Sequence, residues 1–174
     1  MNRMLWGICG LAAMAMLAIP GLAHGNTRGT SQLDLNGKTV SVEFGRPTLK
    51  GRSVDDLFGQ LKPGEVWRLG SDKSTTFSTA ADLLFGDMAL PAGEYSLWAQ
   101  RAAGNTWKLV FNTQHGQWGT QHDAAKDLVA VPLNESKLVN PQEMVTISLT
   151  KAGEGGVIVI EWGDKKLTAS FKAK

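Results

Sequence analysis

The chain has 174 residues with 18 basic and 16 acidic side chains, so its formal net charge is only +2. This balance argues against a nucleic-acid-binding protein, which normally carries a strong basic excess. The only cysteine, Cys9, has no partner for a disulfide bond, and a chain of this length can be held by one hydrophobic core.

Residues 1–23 have the pattern of a secretory signal peptide. Arg3 precedes an apolar run over residues 4–19, and small residues follow Pro20. The run is shorter than the roughly 20 residues that a membrane-spanning helix needs, although a membrane anchor is the alternative. We therefore predict export to the periplasm or the medium, no membrane span in the mature chain, and a disordered leader over residues 24–30.

Residues 31–44 predict a β-hairpin. Apolar and polar residues alternate on both sides of Asn36-Gly37, the dipeptide best suited to a tight two-residue turn. This turn sets the register, and a slip by one residue would expose the apolar face. The residues expected on that buried face are Leu33, Leu35, Val40 and Val42.

One short helix is predicted at residues 54–61. Ser53, with Asp56 three residues later, gives an N-terminal capping signal, and Pro63-Gly64 ends the helix. The chain then becomes extended, which places Trp67 and Arg68 on opposite faces of a strand.

Further extended runs are separated by turn-forming residues. They cover residues 73–79, 83–90, 95–101, 106–112, 128–133, 144–150, 157–162 and 167–172. Pro91-Ala92-Gly93-Glu94, Gly104-Asn105 and Gly163-Asp164 are short enough to predict antiparallel connections. The fold class is therefore all-β: an antiparallel β-sandwich, jelly-roll or Ig-like in general form, forming a single domain over residues 31–174. The longest loop, residues 113–126, is of a length more often functional or mobile than structural.

Residues 44–77 carry six cationic side chains among glycines, prolines and a tryptophan, and five of them, all but Lys62, are candidate site residues. They are Arg46, Lys50, Arg52, Arg68 and Lys73. Charged side chains at strand ends and in turns can converge on an anion. Alternatively, they bind loop carbonyls or nearby carboxylates and only stabilise the fold.

We predict a polar cleft in which these five cations meet Trp118 and the hydroxyls of Thr75 and Thr76. The cleft would bind a small anionic or polyhydroxylated ligand, or an envelope partner, and would need no cofactor. A purely structural envelope domain is an alternative.

The remaining chemistry-bearing residues give weaker signals. Trp98, Trp107 and Trp162 lie in apolar strands and are expected in the core, whereas Trp118, in the long loop, is expected to be partly exposed. His115, His122 and Asp123 could approach one metal ion, but their spacing is not typical of a metal site, and we assign none.

No catalytic motif occurs. A carbohydrate-active or other hydrolytic enzyme stays an alternative, with carboxylates drawn from Glu65, Asp72, Glu94 or Glu161.

Several short motifs recur in the order of a known bacterial family. They are Gly45-Arg46-Pro47, Lys50-Gly51-Arg52, Trp67-Arg68 with Gly70, Thr75-Thr76, Pro91-Ala92-Gly93 with Tyr95-Ser96-Leu97, Trp107, and Trp118-Gly119. On these motifs the chain resembles the family called domain of unknown function 2911. The resemblance implies a periplasmic or extracellular β-sandwich, but it does not indicate any particular reaction. It also implies a tyrosine where this chain has His122.

Overall fold

The computed structural model describes residues 27–174, so the predicted signal peptide lies outside the described residues. These residues form one α-helix and ten strands, joined in places by 3-10 turns. The elements are β1 Arg28–Leu35, β2 Lys38–Gly45, α1 Val54–Gly59, β3 Val66–Trp67, β4 Thr75–Thr79, β5 Leu83–Phe85, β6 Met88–Leu90, β7 Gly93–Arg101, β8 Trp107–Asn112, β9 Asp127–Ala152 and β10 Gly155–Ala173. None of the described helical segments has the length and apolar character to cross a membrane.

The strands form a single antiparallel sheet in the order β1-β2-β4-β7-β8-β9-β10-β5-β6, with β3 added to β7. The long strand β9 joins the two halves, since its first residues pair with β8 and the rest pair with β10. The sheet curls until β1 approaches β9, where the Leu149 N–H donates to Ser31 Oγ at 2.9 Å. Buried side chains from both halves share one core. The prediction of an antiparallel all-β fold with one short helix is confirmed.

The first hairpin has the predicted register. Leu35 lies opposite Lys38 and Leu33 opposite Val40. Asn36 and Gly37 both have positive φ, as this tight turn requires. Leu33 is half-buried, and the other three residues of the predicted face are buried. The first strand begins at Arg28, so residues 28–30 are strand and not the disordered leader that we expected.

Three expectations about the connections are corrected. The runs predicted at residues 128–133 and 144–150 are parts of one strand, β9, and those at 157–162 and 167–172 are parts of β10. Gly163-Asp164 is a bulge, since the register shifts on both sides of Gly163. Pro91-Ala92 joins no hairpin: β6 pairs with β5 while β7 pairs with β4, so this dipeptide carries the chain between the two halves of the sheet.

Helix α1 begins as predicted and ends at Gly59, two residues earlier than expected. Ser53 caps it by accepting a hydrogen bond from the Asp55 N–H at 3.1 Å. Its buried residue Phe58 packs against the sheet, and Lys165 of β10 lies 2.7 Å from the Asp55 carboxylate. The helix is therefore fixed to the sheet by its buried side chains, Val54 and Phe58, and by this ion pair.

The ion pair predicts a pH dependence of stability. The hydrogen bond from Lys165 lowers the pKa of Asp55 below its ordinary value. A carboxyl group with a lowered folded-state pKa stabilises the fold above its ordinary pKa, about 4, and loses this contribution as pH falls through the lowered value. We expect urea unfolding to show Asp55→Asn less stable than wild type at pH 7, with the difference shrinking at pH 2–3. Asp56→Asn, in the same helical turn, is the control, and an equal effect there would contradict the account.

Candidate functional site

A cleft of about 550 Å³ opens between helix α1, the sheet and the loop between β8 and β9. Its aromatic lining comes from four separate elements: Phe58 from α1, Trp67 from β3, Trp98 from β7 and Trp162 from β10. The polar lining residues are Arg52, Arg68, Thr120 and His122. A largely apolar pocket of this size with a few polar groups is typical of small-molecule sites.

Phe58, Trp67 and Trp162 pack closely against one another and form the aromatic wall of the cleft. The rings of Trp67 and Trp162 are stacked with centroids 5.5 Å apart and an interplanar angle of 8°. Phe58 meets Trp67 at 4.9 Å and Trp162 at 6.2 Å. Trp98 and Trp162 are buried, as predicted for core residues, and yet both contribute to the cleft. The wall therefore offers an apolar surface whose geometry is held by the core.

Arg68 is the cation at this cleft for which residues 27–174 provide no hydrogen-bond or ion-pair partner. It is half-buried, follows β3 directly and packs beside Gly119 of the long loop. A Cβ on Gly119 would stand 3.1 Å from Cδ of Arg68 and 2.8 Å from the backbone oxygen of Asp72, so only glycine fits there. Among residues 27–174, no carboxylate, carbonyl or hydroxyl oxygen pairs with the Arg68 guanidinium. A partly buried cation thus lines the cleft without a counter-charge from the described residues.

Two other arginines bind backbone carbonyls. Arg46 donates from Nε to the Val145 carbonyl at 3.3 Å. Arg52, which lines the cleft, donates from Nε to Leu49 at 2.8 Å and from Nη2 to Thr48 at 3.2 Å. These bonds fit the structural alternative, in which an arginine fork fixes loop backbone.

The other predicted site residues lie outside the lining of this cleft. Lys50 and Lys73 are exposed, and Trp118 is 50% exposed beside its bridge to Lys73. Thr75 is fully buried and donates to the Leu69 carbonyl, while Thr76 is half-buried and donates to Ser74. The structure thus brings two of the eight predicted residues, Arg52 and Arg68, to one hollow. Ligand binding by the other six stays a prediction that this cleft does not require.

His122 is a cleft residue that the sequence suggested only as a candidate metal ligand and not as part of the predicted polar cleft. Its Nε2 lies 2.9 Å from Oδ1 of Asp127, and its ring packs on Trp98 with centroids 4.8 Å apart. The same Asp127 oxygen accepts a bond from Nδ2 of Asn112 at 2.7 Å, and Asn112 is fully buried. A buried amide thus orients the carboxylate, which orients the imidazole. Residues from two strands and a loop form this arrangement, so no short motif could have revealed it.

Backbone and side-chain bonds fix the long loop against the segment before β4. The Gly119 N–H donates to the Asp72 carbonyl at 2.7 Å, and the Ser74 N–H donates to Gln117 at 2.9 Å. The Gln117 side chain also bonds Ser74 and Ser96, both buried. These hydrogen bonds fix the conformation of the loop, which forms one side of the cleft.

The candidate metal ligands point to different partners. His115 lies 3.6 Å from Glu94, His122 contacts Asp127, and Asp123 caps the 3-10 turn at Ala125 and meets Lys126. The hydrogen bond from the Ala125 N–H lowers the pKa of Asp123. Within the described part of the chain, no group of three metal-type side chains is gathered.

The carboxylates considered for glycosidase chemistry are not among the lining residues of the cleft. None of its described lining residues is an aspartate or glutamate. Glu65 instead accepts a bond from the Lys62 N–H, and Glu94 accepts one from Ser78. This cleft therefore offers no carboxylate pair for that mechanism.

A family model described as "Protein of unknown function (DUF2911)" matches residues 26–171. Because this match covers most of the chain, the chain belongs to that family, as its motifs indicated. No curated protein and no solved structure matches the chain.

Proposed function

We propose that this member of the DUF2911 family binds a small organic anion in the aromatic cleft. The apolar body of the ligand would pack against Phe58, Trp67 and Trp162, and its carboxylate would pair with Arg68. The observation that supports this most directly is the half-buried Arg68 guanidinium, for which residues 27–174 provide no hydrogen-bond or ion-pair partner.

An arginine in this position favours an oxyanion for a physical reason. Its planar guanidinium matches the geometry of a carboxylate, and charge-assisted hydrogen bonds contribute about 1.5–3 kcal/mol each. Arg52 adds positive charge to the same cleft while its Nε and Nη2 hold backbone carbonyls. An aromatic cleft with one guanidinium available for pairing, that of Arg68, therefore suits a ligand with one anionic group and an apolar body about the size of an aromatic ring.

Two other functions are less well supported. Binding of a sugar usually needs an exposed indole face, but Trp67 and Trp162 stack on each other and the exposed Trp118 lies outside the cleft lining. A purely structural role accounts for Arg46 and Arg52, which bind backbone carbonyls, but not for Arg68, to which residues 27–174 offer no such acceptor. A small organic anion is the ligand that would both pack against the aromatic residues of the cleft and pair with Arg68.

The first test is a binding titration with 3-phenylpropanoate, which carries one ring and one carboxylate. Arg68→Gln is expected to weaken binding at least tenfold, because it removes charge-assisted bonds while keeping most of the side-chain stem. Its melting temperature should stay within a few degrees of wild type, because Arg68 has no described partner to lose.

Two control variants complete the test. Lys108→Gln removes an exposed cation on β8, outside the cleft, and should bind 3-phenylpropanoate like wild type. Arg68→Lys keeps the charge and loses the fork, so it should bind with intermediate affinity. Absence of binding to the wild type, or equal binding by wild type and Arg68→Gln, would contradict the proposed function.

We also propose that this binding takes place outside the cytoplasm. What supports this is the leader pattern in residues 1–23. Fractionation of the producing cells should find the protein, shortened by its leader, in the periplasm or the medium.

A further inference from the structure

The imidazole of His122 is another polar group of the cleft besides the guanidinium of Arg68. The Gln121 N–H donates to the Trp118 carbonyl at 2.9 Å and closes a turn in the long loop. Arg68 packs on Gly119 inside this turn, and His122 follows the turn directly. Both side chains line the cleft. Arg68 and His122 therefore lie at the same turn and line the same cleft, so one ligand can contact both side chains.

The contact with Asp127 determines which imidazole nitrogen of His122 can accept a hydrogen bond from a ligand. An ionised carboxylate can only accept hydrogen bonds, so the Asp127 bond at 2.9 Å places the hydrogen of a neutral imidazole on Nε2. Nδ1 then carries a lone pair, and no residue in the range 27–174 donates to it. The Asn112 bond to Asp127 stabilises this orientation. In its neutral form, His122 thus presents Nδ1 as a hydrogen-bond acceptor on a side chain that lines the cleft.

We propose that the ligand is a hydroxylated aromatic carboxylate, whose hydroxyl donates to Nδ1 of His122 while its carboxylate pairs with Arg68. This inference rests on the proposed function and adds the chemical class of the ligand. The cleft would then recognise two groups of one ligand. The guanidinium of Arg68 binds the carboxylate, and the lone pair on Nδ1 of His122 accepts a hydrogen bond from the hydroxyl. A site built to bond a hydroxyl discriminates against the analogue that lacks it, because its own polar group is then left unpaired.

The test compares 3-phenylpropanoate with two hydroxylated probes, 3-phenyllactate as separate enantiomers and 3-(4-hydroxyphenyl)propanoate. At least one hydroxylated probe is expected to bind the wild-type protein about five- to tenfold more tightly, the effect of one additional neutral hydrogen bond. His122→Phe keeps a ring against Trp98 and removes both nitrogens, so it should bind the hydroxylated and unhydroxylated probes equally. His122→Gln, a second variant, retains an acceptor and should keep part of the preference.

A spectroscopic readout separates hydrogen bonding from a packing effect. In protein labelled with ¹⁵N-histidine, the unprotonated Nδ1 signal of His122 should move upfield with the hydroxylated probe and much less with 3-phenylpropanoate. If 3-phenylpropanoate binds in an Arg68-dependent way but hydroxylation changes neither the affinity nor this signal, the inference about the hydroxyl is overturned and the proposed function stands. If none of the probes binds, the proposed function fails and this inference fails with it.

Discussion

Replacing Phe58 with alanine is expected to lower the free energy of unfolding by about 3–5 kcal/mol and to abolish ligand binding. Phe58 is buried and touches three tryptophans, with ring centroids 4.9 Å from Trp67, 4.9 Å from Trp107 and 6.2 Å from Trp162. Its removal takes away buried apolar surface and the contact that holds helix α1 against the aromatic wall. Urea unfolding gives the stability, and titration with 3-phenylpropanoate gives the binding.

Phe85→Ala is the matched control for this experiment. Phe85 is equally buried and packs against Phe111 and Phe171, but it does not line the cleft. It should destabilise the protein by a similar amount and leave the affinity of the folded protein for 3-phenylpropanoate unchanged. If both variants lost binding equally at a temperature where both are folded, the loss could not be assigned to the cleft.

Gly163→Ala is expected to reduce stability by about 2–5 kcal/mol and to weaken ligand binding. Gly163 has φ +57°, where an L-residue with a side chain costs roughly 1–2 kcal/mol. A Cβ there would also stand 2.6 Å from Cγ1 and 2.8 Å from Cβ of Val54, the first residue of α1, and such overpacking costs about 1–3 kcal/mol. The clash would displace the helix that carries Phe58.

The two causes can be measured separately. Gly153 has φ +56° and open space around it, so Gly153→Ala should report the backbone strain alone, about 1 kcal/mol or a little more. Adding Val54→Ala to Gly163→Ala should restore part of the stability by making room. A double variant as unstable as the sum of its single changes would show that the contact with Val54 does not explain the effect.

Much of the fold follows from local sequence patterns. Asn36-Gly37 defines the register of the first hairpin, and Ser53 caps the helix, because both signals act over a few residues. The bulge at Gly163 was mistaken for a hairpin turn, since glycine serves equally in both and the choice depends on pairing with β9. The return of β1 towards β9 likewise depends on contacts between residues more than 100 positions apart.

The candidate site was less accessible to sequence reasoning. Arg68 was among the residues predicted because cations cluster near it, but the cluster did not decide whether Arg46 and Arg52 would bind a ligand or backbone carbonyls. The chain from Asn112 through Asp127 to His122 forms only when β8, β9 and the long loop meet. Residue types along a segment predict possible chemistry, whereas tertiary contacts decide which groups are already satisfied.

The most direct test of the central claim is a crystal structure of the protein with 3-phenylpropanoate bound. We expect a carboxylate oxygen within about 2.7–3.2 Å of the Arg68 guanidinium and the phenyl ring between α1 and the wall of Trp67 and Trp162. A structure in which the ligand lies elsewhere, or in which Arg68 pairs with a carboxylate of the protein and the cleft holds no ligand, would contradict the account.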